Sequence, residues 1–241
     1  RMIERLMADH PRPAAVIVGE PTLMQPVVAH KGATNLRTTV TGRASHSSQV
    51  DQGVSAIHVA ARLVTKIEDV MTELRAEGRI DEAFNVAHSS LHVGKIAGGT
   101  AINIMARECT FEWEIRHLPQ DRFEDLIGRV NAYAAELEAE MKSKAPETSI
   151  VTEALNVTVP ALADDNNAEV LGLCRKLLGE RPSGAVAYAT EAGQFQRVGL
   201  PTVICGPGSI AQAHQPDEYI EIDQLAAGSG FMRALGRRLS Q

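Results

Sequence analysis

The sequence has only three cysteines, Cys109, Cys174 and Cys205, and no two of them form a Cys-x-x-Cys pair. That spacing removes a zinc ribbon and a thioredoxin-type redox motif. So sparse and odd a set fits a reducing cytoplasm better than a secreted disulfide scaffold. No apolar run reaches the roughly 18 residues that a membrane helix needs, and the first residues do not join a charged segment to an apolar one as a secretory leader does. A cytoplasmic protein without a membrane partner is expected. Positive charge is also in short supply: 24 Lys and Arg stand against 30 Asp and Glu, a net charge of -6. The basic residues are scattered rather than gathered into a stripe. Sequence-independent binding of nucleic acid needs a basic face, so no nucleic acid is expected and a small molecule or a protein partner is the better default.

What is present is ordinary for a globular chain. Hydrophobic residues make up 44% and charged residues 22% of 241 residues, enough for one large domain or two smaller ones. The stretch from Arg1 to His10 reads as the end of a helix, which suggests a natural protein that begins upstream.

Pro13 to Gly19 is a short apolar run rich in β-branched residues, the pattern of a strand buried on both faces of a parallel sheet. From about residue 34 the period changes. Leu36, Thr38 and Val40 alternate with polar neighbours, and Val54, Ile57, Ala61, Val64, Ile67, Met71 and Leu74 then recur in steps of three and four, the mark of an amphipathic helix. Two strands are expected next, one over residues 90–97 and one in which Phe111, Trp113 and Ile115 alternate with charged residues, with Gly98-Gly99 supplying a turn. A second helix is expected from Asp121, where Glu124 three residues on resembles a capping box, and a weaker strand over 150–157 closes the set. The order β-α-β-β-α-β is ferredoxin-like, an antiparallel sheet with two helices on one face. After Pro160 the α/β character returns, with helices expected over 166–178 and 223–239 and strands over 184–189 and 201–205. The fold class is therefore α/β: a partial mixed or parallel sheet domain over 1–32 and 158–241, with the ferredoxin-like domain inserted over 33–157.

Several residues could carry chemistry, and each has a plainer reading. Glu20 directly follows the first apolar strand, where carboxyl ends of strands face ligand crevices; it is a metal-ligand candidate or a solvated loop carboxylate. His214 lies beyond another buried strand, after Gly206-Pro207-Gly208, with Asp217 or Glu218 near enough in sequence to orient its ring; it is a ligand candidate or a loop histidine. His46 falls in the small-residue segment Gly42 to Ser48, which either presents an imidazole to a substrate or is a helix entry capped by Ser47 or Ser48. Asn103 is a turn asparagine or a substrate contact. Arg116 is a surface ion-pair partner or a bidentate grip on a carboxylate.

Taken together, Val18-Gly-Glu-Pro-Thr22, Gly42-Arg-Ala-Ser-His-Ser-Ser48, Ala101-Ile-Asn103, Trp113-Glu-Ile-Arg-His-Leu-Pro119, Thr190-Glu-Ala-Gly193 and Gly206 to Tyr219 resemble, in order, the acetylornithine deacetylase / succinyl-diaminopimelate desuccinylase family of zinc aminoacylases and exopeptidases. The last block is similar to the acetylornithine deacetylase branch. The resemblance implies a site of two zinc ions (Zn2+, with Co2+ as an alternative) whose bridging water attacks an amide carbonyl. Glu20 would be a terminal ligand of one ion and His214 of the other. His46 would stabilise the oxyanion in the partner's site across a homodimer interface. Asn103 and Arg116 would contact the polar end of an N-acyl amino acid, and Thr190, Glu191, Gly206 and Gly208 would line the pocket. The sequence departs from the family at three points: it has no His-x-Asp, no Glu-Glu pair and no match to the segment of the bridging Asp. Those elements would lie upstream of Arg1, so the 241 residues are expected to be no competent catalyst alone, and a metal need not be held by them. The parent reaction implied is N-acetyl-L-ornithine to ornithine and acetate in arginine synthesis. Alternatives are a relative cleaving another acyl amino acid or a dipeptide, and a non-catalytic dimerisation module.

Overall fold

The computed structural model describes residues 2–240, and its contacts divide the chain into two compact units. One gathers the stretch ending at Gly32, Glu82–Asn85 and the stretch from Val159 onward; the other gathers Ala33–Asp81 and Val86–Thr158. In chain order, α1 (Met2–Asp9), β1 (Val16–Val18) and β2 (Val27–His30) open the first unit. The second then runs β3 (Gly32–Thr41), α2 (Ala56–Ala76), β4 (Ser90–Gly98), β5 (Glu108–His117), α3 (Phe123–Lys144) and β6 (Ser149–Ala154). The first resumes with α4 (Ala168–Leu178), β7 (Gly184–Val186), α5 (Ala192–Arg197), β8 (Thr202–Ile204) and α6 (Ile222–Leu239). No helix among the described residues is long and apolar enough to cross a membrane.

The second unit is the expected βαββαβ arrangement. Its sheet has the order β4-β5-β3-β6, with antiparallel registers from Ser90↔Arg116 to Gly98↔Cys109 and from Leu36↔Ala154 to Thr41↔Ser149. Strand alternation decides which face is covered. Cys109, Phe111, Trp113, Ile115 and His117 of β5 are buried, while Thr110, Glu112, Glu114 and Arg116 occupy the other face. There Glu112 receives Arg37 at 2.7 Å and Lys95 at 3.1 Å. On the covered face, α2 contributes Val59, Leu63, Ile67, Val70 and Leu74 and α3 contributes Leu126, Val130, Leu137 and Met141 to one core. Each such side chain, fully buried, stabilises by roughly 1.5–3 kcal/mol. The indole Nε1–H of Trp113 donates to Thr38 Oγ1 at 3.0 Å, so its one polar atom is satisfied within that core. Helix α2 starts at Ser55, whose hydroxyl accepts the His58 N–H at 3.4 Å.

One expectation fails here. Asp121 and Glu124 make no capping box: α3 begins after Arg122 with no side-chain cap. Asp121 is buried and instead accepts hydrogen bonds from Ser89 and, at 3.0 Å, from Arg79. A buried carboxylate needs charge-assisted partners more than a helix start needs a cap. Gly98-Gly99 does supply a turn after β4, as expected, at the start of a longer loop. Gly99 turns the chain (φ 79°), and residues 99–107 fold back on the segment before α2, with Gly42 N–H donating to Arg107 O at 2.7 Å and Ala56 N–H to Ala106 O at 2.9 Å.

The first unit has a mixed sheet of order β1-β8-β2-β7, in which β1 pairs β8 and β2 pairs β7 in parallel while β8 meets β2 antiparallel. Val28, Val170, Cys174, Val203, Cys205 and Phe231 pack one core, and Val18, Val27, Leu162, Ala192 and Ile204 another. Burial on both faces, expected for the first apolar run, belongs instead to β2, every residue of which is buried. Val16 and Ile17 are only partly buried because β1 lies at the edge of the sheet. Asn167 ties the layers together: its side chain donates to Ala163 O at 3.0 Å and accepts the Thr202 N–H at 3.0 Å.

Leu63→Ala should lower the stability of the second unit by about 2–5 kcal/mol through lost contacts and a residual cavity. Trp113 is the one tryptophan of the sequence and lies in the same core, so the urea midpoint read by its fluorescence checks this. An unchanged midpoint would mean that Leu63 is not packed as described.

Candidate metal and substrate site

Strands β1 and β8 are parallel neighbours with Val18 opposite Ile204, so their carboxyl ends emerge side by side. Glu20 leaves one end and Gly206-Pro207-Gly208 leaves the other. The two segments are laced together. Thr22 N–H donates to Gly206 O at 3.2 Å, Gly206 N–H to Thr22 Oγ1 at 3.1 Å, and Leu23 N–H to Gly208 O at 2.7 Å. Gly206 is required for this approach, because a Cβ there would lie 2.5 Å from the Glu20 carbonyl oxygen. Gly208 holds the left-handed backbone of the turn (φ 90°).

His214 is exposed and itself left-handed (φ 59°), a conformation that His tolerates better than most residues. Its backbone N–H donates to Glu218 at 2.8 Å. The carboxylate suggested as an orienter of the imidazole therefore holds the main chain of the loop, and Asp217 is itself at a left-handed position (φ 59°). Glu191 enters from a third direction, as the residue before α5. The buried Thr190 accepts the Ala192 N–H at 3.1 Å, and the buried His30 accepts the Gly193 N–H on Nε2 at 3.2 Å while its Nδ1 faces Lys31 O at 2.8 Å. A side chain at Gly193 would run into Pro160 O at 2.1 Å, so that turn also depends on glycine.

These three elements share one electrostatic field. Burial, and then the charge of Glu191, push the Glu20 carboxyl above its ordinary range, while His214 pulls it back. The Tyr188 phenol is pushed up by burial and then by Glu20. A half-buried carboxylate with a second carboxylate close by is a place where a cation would relieve repulsion. Yet no group of three or more His, Cys, Asp or Glu positioned to hold a metal exists among the described residues. A zinc site takes three or four protein donors, so Glu20 and His214 do not make a zinc site by themselves.

In the second unit, His46 and Asn103 sit on interlocked loops. Ser47 N–H donates to Asn103 O at 2.9 Å and Met105 N–H to Ser45 O at 2.9 Å. His46 is exposed and caps a 3-10 turn over Ser47–Gln52, with Nδ1 accepting the Ser48 N–H at 3.2 Å and lying 2.7 Å from Ser48 Oγ. With Nδ1 accepting the Ser48 N–H, a neutral ring would carry its proton on Nε2. The serine caps considered for this segment are not formed; Ser55 caps α2. Arg116 is held in a bidentate pair with Glu114, at 2.9 and 3.1 Å.

Sequence reasoning missed His30 and Tyr188. Tyr188 follows a strand end, β7, as Glu20 follows β1, and that common placement was a usable signal. Nothing in the sequence pointed to His30, whose role depends on Gly193 far along the chain.

Residues 28–142 match the peptidase dimerisation domain family. The chain is 35% identical over 215 residues to an acetylornithine deacetylase of Pasteurella multocida, covering 89% of this chain and 54% of that relative. It is 37% identical over 210 residues to the acetylornithine deacetylase of Salmonella arizonae, covering 87% and 53%. The chain thus spans about half the length of the curated relatives it matches. Among solved structures, it superposes on aminopeptidase PepT of Bacillus cereus with a TM-score of 0.70 at 20% identity, over 95% of this chain and 58% of that one. A Staphylococcus aureus tripeptidase gives 0.70 at 18% identity, over 96% and 58%. At those identities the structures speak to fold alone. Residues 28–142 belong to the peptidase dimerisation domain family, and the chain as a whole is similar to acetylornithine deacetylases over about half of their length.

Replacing Glu191 with Gln should bring the Glu20 titration down in chelator-treated protein, because one of its two raising influences disappears. A carboxyl raised in the folded state binds protons there that the unfolded chain has already lost, so stability falls as pH rises from the ordinary value of 4.5 through the raised one. Carboxyl NMR titration of Glu20 is the measurement; an identical curve in Glu191→Gln would show that the two side chains do not interact.

Proposed function

We propose that this chain serves a zinc-dependent amide hydrolase that acts on N-acyl amino acids, with N-acetyl-L-ornithine as substrate and ornithine and acetate as products, in arginine synthesis in the cytoplasm. The observation that carries the reading is the parallel pairing of β1 and β8, whose following segments bear Glu20 and His214, with His214 acting electrostatically on Glu20. The identity to acetylornithine deacetylases supports the choice of acyl group and amino acid.

In this reading Glu20 and His214 each offer one donor to a divalent ion whose other donors the described residues do not supply, and no hydrolytic step is derived through that ion. The chain's own residues have definable tasks. An Nε2–H on His46, fixed by the Ser48 contacts, is suited to meet an oxyanion as it forms, in the partner's site of a homodimer; a donor preorganised in that way acts in the transition state and not on the ground state. Arg116 takes the substrate carboxylate, for which it must exchange its bidentate partner Glu114 for a second carboxylate of the same geometry. Asn103 contacts the same polar end, and Thr190, Glu191, Gly206 and Gly208 line the pocket. A second reading is favoured by the lack of a three-donor group among the described residues: a non-catalytic dimerisation module.

The 241-residue chain alone is expected to bind zinc weakly and to leave N-acetyl-L-ornithine intact. Calorimetric zinc titration with an assay of released acetate checks this, and two tightly held ions with turnover would show that the donor set is larger than described. In the catalytically competent protein, His46→Ala should reduce kcat by about 10²-fold or more, as for a lost oxyanion donor, whereas Arg116→Ala should chiefly raise KM. An unchanged kcat would remove His46 from the chemistry, and an Arg116 effect limited to thermal stability would leave it an ion pair. Comparison of N-acetyl-L-ornithine, succinyl-diaminopimelate and dipeptides on that protein decides the substrate; preference for either of the others overturns the assignment.

A further inference from the structure

We propose that Cys174 and Cys205 form a dithiol–disulfide couple that a hydroperoxide closes, a modification site bridging α4 and the end of β8. The inference uses residues of this chain only and does not rest on the hydrolase reading.

The two cysteines come from different elements and pack in the same core cluster, and both are buried. Their shared place in that cluster is the proximity that bond formation requires, and each side chain acts on the titration of the other. They differ in access. Cys205 lines a cavity of about 610 Å3 together with Met24, Pro207, Leu225 and Met232; Leu225 and Met232 are exposed, so the cavity reaches the surface. That volume far exceeds the roughly 30 Å3 share of a water molecule and admits a small hydroperoxide. Cys174 is not among the cavity residues.

The sulfur facing the cavity is also the one prepared to react. The Cys174 thiol, as hydrogen-bond partner, favours the thiolate of Cys205, with Arg181 and the Thr22 hydroxyl acting the same way against the opposing effect of burial. The same hydrogen bond, joined by burial, drives Cys174 upward. The thiolate is the nucleophile in thiol chemistry. Cys205 would attack the terminal oxygen of the hydroperoxide, the O–O bond breaks, and an alkoxide or hydroxide leaves, so that Cys205 becomes a sulfenic acid. The Cys174 sulfur then attacks the Cys205 sulfur; the S–O bond breaks, and the departing hydroxide takes the Cys174 proton as water. Two electrons have passed from the thiols to the peroxide, and a dithiol reductant reverses the change.

The placement ties the couple to the rest of the unit. Cys205 immediately precedes Gly206, whose N–H and C=O are both bonded to Thr22, so a new bond at Cys205 pulls directly on the segment that carries Glu20. Cys109 is an internal control: it is buried in the other unit, and burial pushes its thiol up.

The test is to expose the folded 241-residue chain to hydrogen peroxide, alkylate remaining thiols after denaturation, and map peptides without reduction. The expected product is a Cys174–Cys205 cross-linked peptide, lighter by two hydrogens, restored to two alkylated thiols by dithiothreitol, with Cys109 alkylated throughout. In Cys174→Ser the cross-link should vanish and a sulfenic acid, trapped by dimedone, should appear on Cys205. Recovery of both cysteines as alkylated thiols in the wild-type chain would overturn the proposal. So would over-oxidation of Cys205 without a link to Cys174. The wild-type map decides the matter even if the serine variant fails to fold.

Discussion

The parallel pairing of β1 with β8 is the constraint on which the candidate site depends. Neither strand is long: each has three residues, and the register sets Val18 against Ile204. What gives so short a ladder its consequence is the chain that follows. Gly206 packs against the backbone of Gly19 and Glu20 at a distance that excludes any side chain, and reciprocal hydrogen bonds with Thr22 complete the lock. Parallel strands require a long crossover, and here much of the chain intervenes. The Glu20 and His214 segments, remote in sequence, are thereby presented at one end of one sheet.

The electrostatics of that end follow from the packing. Partial burial and a neighbouring carboxylate both work against the charge on Glu20, and only His214 works for it. Such an arrangement costs stability unless a cation or a proton compensates, and strained titrations of this kind cluster where proteins bind or react. The α5 turn that brings Glu191 into range is itself over-determined, by Thr190, by His30 and by the close approach of Gly193 to Pro160. The backbone of that turn is set by the fold, while the Glu191 side chain itself is exposed.

The second unit has a simpler logic. Strand and helix periods agree, so one face of the sheet is packed and the other carries a lattice of opposite charges. Two loops beside α2 are then locked to each other through Ser45, Ser47, Asn103 and Met105, and the exposed His46 lies on one of them. The same physics that builds the core thus delivers an exposed imidazole at its rim.

The β-α-β-β-α-β order, the faces of α2, α3 and β5, and the family were legible in the amino-acid sequence, because hydrophobic period and short motifs are local properties that survive without neighbours. Non-local matters were not. Asp121 read as a cap until Ser89 and Arg79 claimed it; the first apolar run read as doubly buried until the sheet order put it at an edge; His30 was silent until Gly193 arrived beside it. Cys174 and Cys205, on different elements, come together in one core cluster. By itself the sequence determined which residue types lie where along each element. Only the tertiary structure decided which of them share a field, a hydrogen bond or a cavity, because those interactions fall off within a few ångströms of space and take no account of distance along the chain.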